Sequence, residues 1–159
     1  MRFTHELTYD AAPEEVRAMV ADPAFRERVC EAVHASQHRV SVDEAGPGMT
    51  VVVDQTQPAR GIPSFARKFV GDEIRIVQRE TWADGSGGSL TLEIPGKPGT
   101  FDGTVRLAGD STTVESFEGE VTVRVPLVGG RLEGLVGDLF RAALQAEERV
   151  GRAWLAGDR

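Results

Sequence analysis

The 159-residue chain carries 25 acidic and 18 basic residues, a net charge of −7, with 40% hydrophobic and 27% charged residues. The acidic balance argues against a dedicated nucleic-acid or anionic-membrane binder, since both need a basic footprint. The single cysteine, Cys30, excludes an internal disulfide framework and any all-cysteine metal site. The length fits one domain over residues 1–159, with about two-thirds of the unfolded surface available for burial. The opening MRFTHELTYD has no apolar stretch of signal-peptide type, and no run of 18 apolar residues occurs. The expectation is a cytoplasmic protein without a membrane span.

Residues 2–9 alternate, with Phe3, His5, Leu7 and Tyr9 on one face, the period of a half-buried strand. Asp10 and Pro13 open a helix whose apolar face is Val16, Met19 and Val20. Asp22-Pro23 ends it and starts a second helix, with Asp22 as N-cap and Pro23 at the first helical position. Phe25, Val29, Ala32 and Val33 line one side of that helix. From residue 37 the period returns to two through Val40 and Val42. Gly46-Pro47-Gly48 makes a turn, and Met49, Val51, Val53 and Gln55 continue the pattern.

Residues 57–71, QPARGIPSFARKFVG, interrupt the strands. Pro63 starts a short helix there, Gly71 closes it, and Phe65 and Phe69 lie four apart on one face. Strands resume with Ile74, Ile76, Gln78, Glu80 and Trp82. Turns at 84–88, 95–99 and 109–110 separate them from the sets beginning at Leu90, Phe101 and Phe117. After Gly129-Gly130 the spacing of Leu132, Leu135, Val136, Leu139, Ala143, Ala146, Val150 and Ala153 predicts an amphipathic helix of about 25 residues.

One strand, two short helices, six strands on short turns and one long helix make an α+β chain. Short turns imply an antiparallel meander, and the sheet has one apolar face for which the last helix is the natural cover. Gly103 and Gly119 help the sheet bend.

This order resembles the helix-grip fold of the START and Bet v 1-like (SRPBCC) superfamily over nearly the whole chain. The opening strand followed by AAPEEVRAMVADPAFRERV is similar to the start of many members. GIPSFARKFVG, ETWADGSGG and VPLVGGRLEGLV together resemble the bacterial domain-of-unknown-function family 2505, the last being the most specific. The resemblance implies a curved seven-stranded antiparallel sheet around the C-terminal helix, with a cavity between them. It supplies no catalytic motif.

Inward polar residues mark candidate sites, because burying one without a partner costs about 1–3 kcal/mol. His5, Gln55, Gln78 and Glu80 share faces with aliphatic neighbours, and either line a pocket or sit at fraying strand ends. With Phe65, Phe69 and Trp82 they form the candidate ligand-binding set. The segment 57–71 reads as a flap over one end of the cavity or as a plug completing the core. Arg60, Arg67 and Lys68 form a small basic cluster, explained either by an acidic head group or by a solvated loop face. His34 and His38 straddle a helix-to-strand change, which argues against a metal pair. Cys30 reads as a small buried apolar group, and GxSxG is absent. Gly85-Ser86-Gly87-Gly88 lies in a hairpin, while Gly129-Gly130 precedes a helix and gives the chain room to turn.

The expectation is a noncatalytic module that binds a small hydrophobic molecule (lipid, polyketide or terpenoid-like), with no cofactor and no catalytic or metal site. Two alternatives stay open: a cyclase or dehydratase-type enzyme pairing His5 with Glu80, and a filled-core protein-interaction domain. The oligomeric state is not legible from the sequence.

Overall fold

The computed structural model describes residues 1–159. Its elements run β1 (Arg2–Tyr9), α1 (Pro13–Val20), α2 (Pro23–Ala32), β2 (Gln37–Ala45), β3 (Gly48–Pro58), α3 (Ser64–Val70), β4 (Glu73–Asp84), β5 (Gly87–Glu93), β6 (Gly99–Gly109), β7 (Thr113–Val123) and α4 (Gly129–Leu155). The seven strands form one antiparallel sheet in the order β1-β7-β6-β5-β4-β3-β2. β2 to β7 are the expected meander, and β1 completes the sheet by pairing with β7. This is the helix-grip α+β architecture, and no helix is long and apolar enough to cross a membrane.

Local chemistry sets the boundaries. The Asp22 side chain accepts a hydrogen bond from the Ala24 amide at 2.9 Å, capping α2 as the Asp-Pro pair implies. Pro63 precedes α3, and Gly71 ends it at φ 76°. α1 begins after Ala12, which offers no side-chain cap, so Pro13 carries that start without help from Asp10. Gly129 and Gly130 lie inside the first turn of α4 rather than ahead of it.

The apolar stripe of α4 is rotated relative to the expected one. Its buried residues include Leu132, Phe140, Leu144, Ala146, Glu147 and Trp154, whereas Leu139 is 41% exposed. Aromatic packing explains the rotation. Phe140 stacks on Phe3 at 4.8 Å between ring centroids and lies 5.0 Å from Phe101, while Trp154 meets Phe25 edge-on at 5.7 Å. These rings bury more area than Leu139 would, so they take the centre of the interface.

Phe101 needs space on the concave face, and two glycines provide it. Gly103 and Gly119 face each other across β6 and β7. A Cβ at Gly103 would lie 2.8 Å from Phe101 Cζ and would collide with the backbone of Glu118. Gly103→Ala is therefore expected to destabilise the fold by about 2 kcal/mol. In thermal unfolding that corresponds to a midpoint lowered by about 4–8 °C. An unchanged midpoint would show that the β6–β7 pair has room to relax.

Candidate functional site

The concave face is filled unevenly. Phe3, Phe101, Phe117 and Phe140 pack ring against ring on the β1–β7 side. On the other side lies a cavity of about 340 Å³ between α4, α2 and strands β3 to β6. Val29 and Ala32 of α2, with Val33 just past its C-terminal end, form one wall, and Val136, Phe140 and Ala143 of α4 form the roof. Ile76, Leu92 and Phe101 form the floor. Pro58, Arg60 and Ile62, which lead into α3, close one end.

Four polar groups, Gln55, Gln57, Gln78 and Glu147, enter this apolar lining from buried or half-buried positions. Gln55 and Gln57 project from β3 and Gln78 from β4, and Glu147 comes down from α4. Gln55 Oε1 is buried without a hydrogen-bond partner. Gln78 Nε2 donates to Glu80 Oε1 at 2.6 Å. Arg60 and Arg149 also line the cavity, but both are exposed.

Beside the cavity lies a buried ion pair. Arg26 of α2 donates from Nη1 and Nη2 to the two carboxylate oxygens of Glu80 at 2.8 and 2.9 Å. Its Nε donates to the carbonyl of Val20 at 2.7 Å. Trp82 Nε1 donates to Glu80 Oε2 at 2.8 Å, so Glu80 receives four donors on two oxygens. Burial pushes the Glu80 carboxyl upward, but the Arg26 charge and these donors outweigh it and hold it below its ordinary value. Burial likewise opposes the charge on Arg26, and its carboxylate neighbours, Glu80 first, more than compensate.

Two further carboxyls share the neighbourhood. Glu115 on β7 is buried between Leu7 and Leu107 in the strand register, and its Oε2 has no partner. Burial, with Glu147 nearby, raises it well above the ordinary value. Glu147 is raised by burial to about 7, with Arg26 pulling the other way. The Tyr9 hydroxyl is buried without a partner, and desolvation followed by the Glu115 charge pushes it upward.

Of the residues singled out in the sequence, the structure brings Gln55 and Gln78 into the cavity wall. Glu80 and Trp82 stand behind Gln78, turned toward Arg26. Phe69 lines a smaller hollow of about 50 Å³ adjoining the cavity beneath α3. Phe65 packs beside it, with the Arg131 guanidinium 4.0 Å from its ring centre. His5 lies on β1, four strand spacings from Glu80 in the sheet order, on the order of 19 Å along the sheet. Burial and then Arg141 lower its pKa. His34 adopts φ 62° between α2 and β2, so it shares no element with His38. Cys30 is buried, and desolvation pushes its thiol up to about 11.

Arg26, Glu115 and Glu147 were not among the sequence candidates, although each carries a signal. Glu115 falls between Thr113 and Phe117 on the inward parity of β7. Glu147 stands four residues from both Ala143 and Gly151, within the apolar stripe. Arg26 is followed at three and four residues by Val29 and Cys30.

Comparison with solved structures agrees with this geometry. The crystal structure of TTHA0849 from Thermus thermophilus is similar with a TM-score of 0.66 at 18% identity, over 96% of this chain and 98% of that one. A truncated norcoclaurine synthase from Thalictrum flavum gives 0.61 at 13% identity, over 100% and 95%. The ZhuI aromatase/cyclase from Streptomyces sp. R1128 gives 0.55 at 13%, over 94% and 95%. At these identities the likeness shows the fold class, which is the helix-grip α+β class.

Within that class, residues 4–155 match the family model described as protein of unknown function DUF2505, and the chain belongs to that family. The uncharacterized protein Rv0481c of Mycobacterium tuberculosis H37Rv is 26% identical over 171 residues, covering 98% of this chain and 97% of that protein. The uncharacterized protein Mb0491c of Mycobacterium bovis matches with the same figures.

The buried charges make stability depend on their partners and on pH. Arg26→Met leaves Glu80 as a buried, uncompensated carboxylate, and urea unfolding at pH 7 is expected to show a loss of about 3–5 kcal/mol. A loss below about 1 kcal/mol would mean that Glu80 finds water or another cation.

Glu147 acts in the opposite sense. Its folded value, raised from 4.5 to about 7, means that the folded state favours the protonated form. The penalty is absent below about pH 4.5, grows as pH rises, and is complete above about 7, where it amounts to about 3 kcal/mol. Unfolding free energies measured from pH 4.5 to 8 should fall less steeply for Glu147→Gln than for the native chain. Parallel profiles would place Glu147 in contact with solvent.

Proposed function

We propose that the protein is a noncatalytic binding module for a small, largely apolar molecule held between α4 and strands β3 to β6. The observation that carries this reading is the cavity itself: about 340 Å³, walled mainly by aliphatic and aromatic side chains, with a few polar groups converging on it. A ligand burying about 200 Å² of apolar surface gains about 5 kcal/mol, while each neutral hydrogen bond adds about 1 kcal/mol. Desolvation therefore supplies most of the affinity, and Gln55 and Gln78 set orientation.

In this reading Gln55 and Gln78 touch the ligand. Glu80 and Trp82 act from behind by fixing the Gln78 amide. Phe65 and Phe69 hold the α3 end of the cavity. His5 lies on β1, outside the cavity lining, and makes no ligand contact. A lipid, polyketide or terpenoid-like molecule fits this chemistry.

Structures of similar fold include proteins named norcoclaurine synthase and aromatase/cyclase, which makes an enzyme the natural alternative. The binding reading is favoured because Glu80 has its two oxygens occupied by four donors and His5 stands far from it. A paired acid and base of that kind has no support in the geometry.

Native mass spectrometry of protein purified from its host, with displacement of a fluorescent fatty acid, tests the proposal. A bound small molecule or displacement is expected. Ala143→Phe should fill the roof of the cavity and weaken probe binding about tenfold or more, equivalent to about 1.4 kcal/mol. Absence of a bound molecule and of displacement by every lipid class, or full binding by Ala143→Phe, would count against it.

A further inference from the structure

We infer that the cavity selects apolar ligands that carry a basic nitrogen, with Glu147 as the group that receives it. This rests on the binding reading above and narrows its ligand class. Glu147 is only 7% exposed and lines the cavity. Its carboxyl has no hydrogen-bonded or ion-paired partner of its own, and only burial and charged neighbours act on it.

The titratable groups set around it come from four neighbouring elements. Arg26 belongs to α2, Glu80 to β4, Glu115 to β7 and Tyr9 to β1. The one cation among them is committed: both terminal nitrogens of Arg26 go to Glu80, and its Nε goes to the Val20 carbonyl. A single guanidinium thus serves three buried carboxyls, and Glu147 is the one of the three that opens on the cavity. A ligand ammonium placed there supplies the missing positive charge in a low-dielectric site, where it counts most.

A second feature of the same cavity points to a donor on the ligand. Gln55 Oε1 is buried in the lining and accepts no hydrogen bond. An ammonium presents three N–H donors, so pairing with Glu147 leaves two for other acceptors in the lining. The rival is a fatty-acid-like anion drawn by Arg60 and Arg149. Both arginines are exposed, where solvent screening leaves an ion pair little strength.

Calorimetric titration at pH 7.5 with octylamine, octanol and octanoate separates these classes. Octylamine is expected to bind about tenfold or more tightly than octanol, and octanoate most weakly. In buffers of different ionisation enthalpy, octylamine binding should release protons as Glu147 ionises, and octanol binding should not. In Glu147→Gln the amine-to-alcohol ratio should collapse to within about threefold, with the proton release gone. Thermal unfolding of that variant reports whether it is folded. Octylamine no tighter than octanol, octanoate binding tightest, or a preference that survives in folded Glu147→Gln would overturn the inference while leaving a binding cavity. Failure of all three to bind would overturn the binding reading, and this inference with it.

Discussion

The pair between Arg26 and Glu80 is the constraint on which the interior depends. Glu80 sits mid-sheet, between Leu90 and Val51, where a carboxylate without partners would cost several kcal/mol. Arg26 reaches it from α2 while also holding the last carbonyl of α1. The pair therefore fixes where α2 lies over the sheet, and through α2 the position of one wall of the cavity. Trp82 and Gln78 complete the shell around Glu80, and Gln78 carries that order to the cavity surface. A hydrophobic pair of similar volume would be easier to bury. What the ionic version adds is direction: four donors in fixed geometry place a helix, an indole and an amide at once.

The space that remains is set by aromatic packing. Phe140 stacks on Phe3 and leans on Phe101, so the β1 side of the concave face is solid. The same phenyl rings form the boundary of the hollow on the β3–β6 side. Neither the α2 wall nor the phenyl wall can collapse inward without breaking the ion pair or unstacking the rings. The hollow is thus a consequence of two rigid contacts rather than of poor packing. Within it the polar groups are unequal. Gln78 is tied to Glu80, whereas Gln55 Oε1 is buried without a partner and the Glu147 carboxyl has none within the protein.

Much of this architecture is legible in the sequence, for physical reasons. Period-two alternation marks the strands because one sheet face is buried, and short turns force neighbours to pair. Asp22-Pro23 and Pro63 mark helix starts because backbone chemistry there is local. The inward positions of Gln55, Gln78 and Glu80 follow from the same alternation. The Arg26 partner of Glu80 does not, since it lies 54 residues away and depends on how α2 crosses β4. The tilt of α4 is equally non-local: spacing alone admits Leu139 or Phe140 at the centre, and the stacking of Phe140 on Phe3 decides. Glu115 and Glu147 stand on apolar faces in the bare pattern, but their shared burial appears only when β7 and α4 are brought together.

The binding role requires a guest to enter the hollow between α4 and the sheet. Intermolecular NOEs between 1-octanol and a methyl-labelled sample test this most directly. Cross-peaks are expected to Ile76, Leu92, Val136 and Ala143, whose side chains face one another across the cavity. Contacts confined to exposed methyls such as those of Leu127, with none to this inner set, would contradict it.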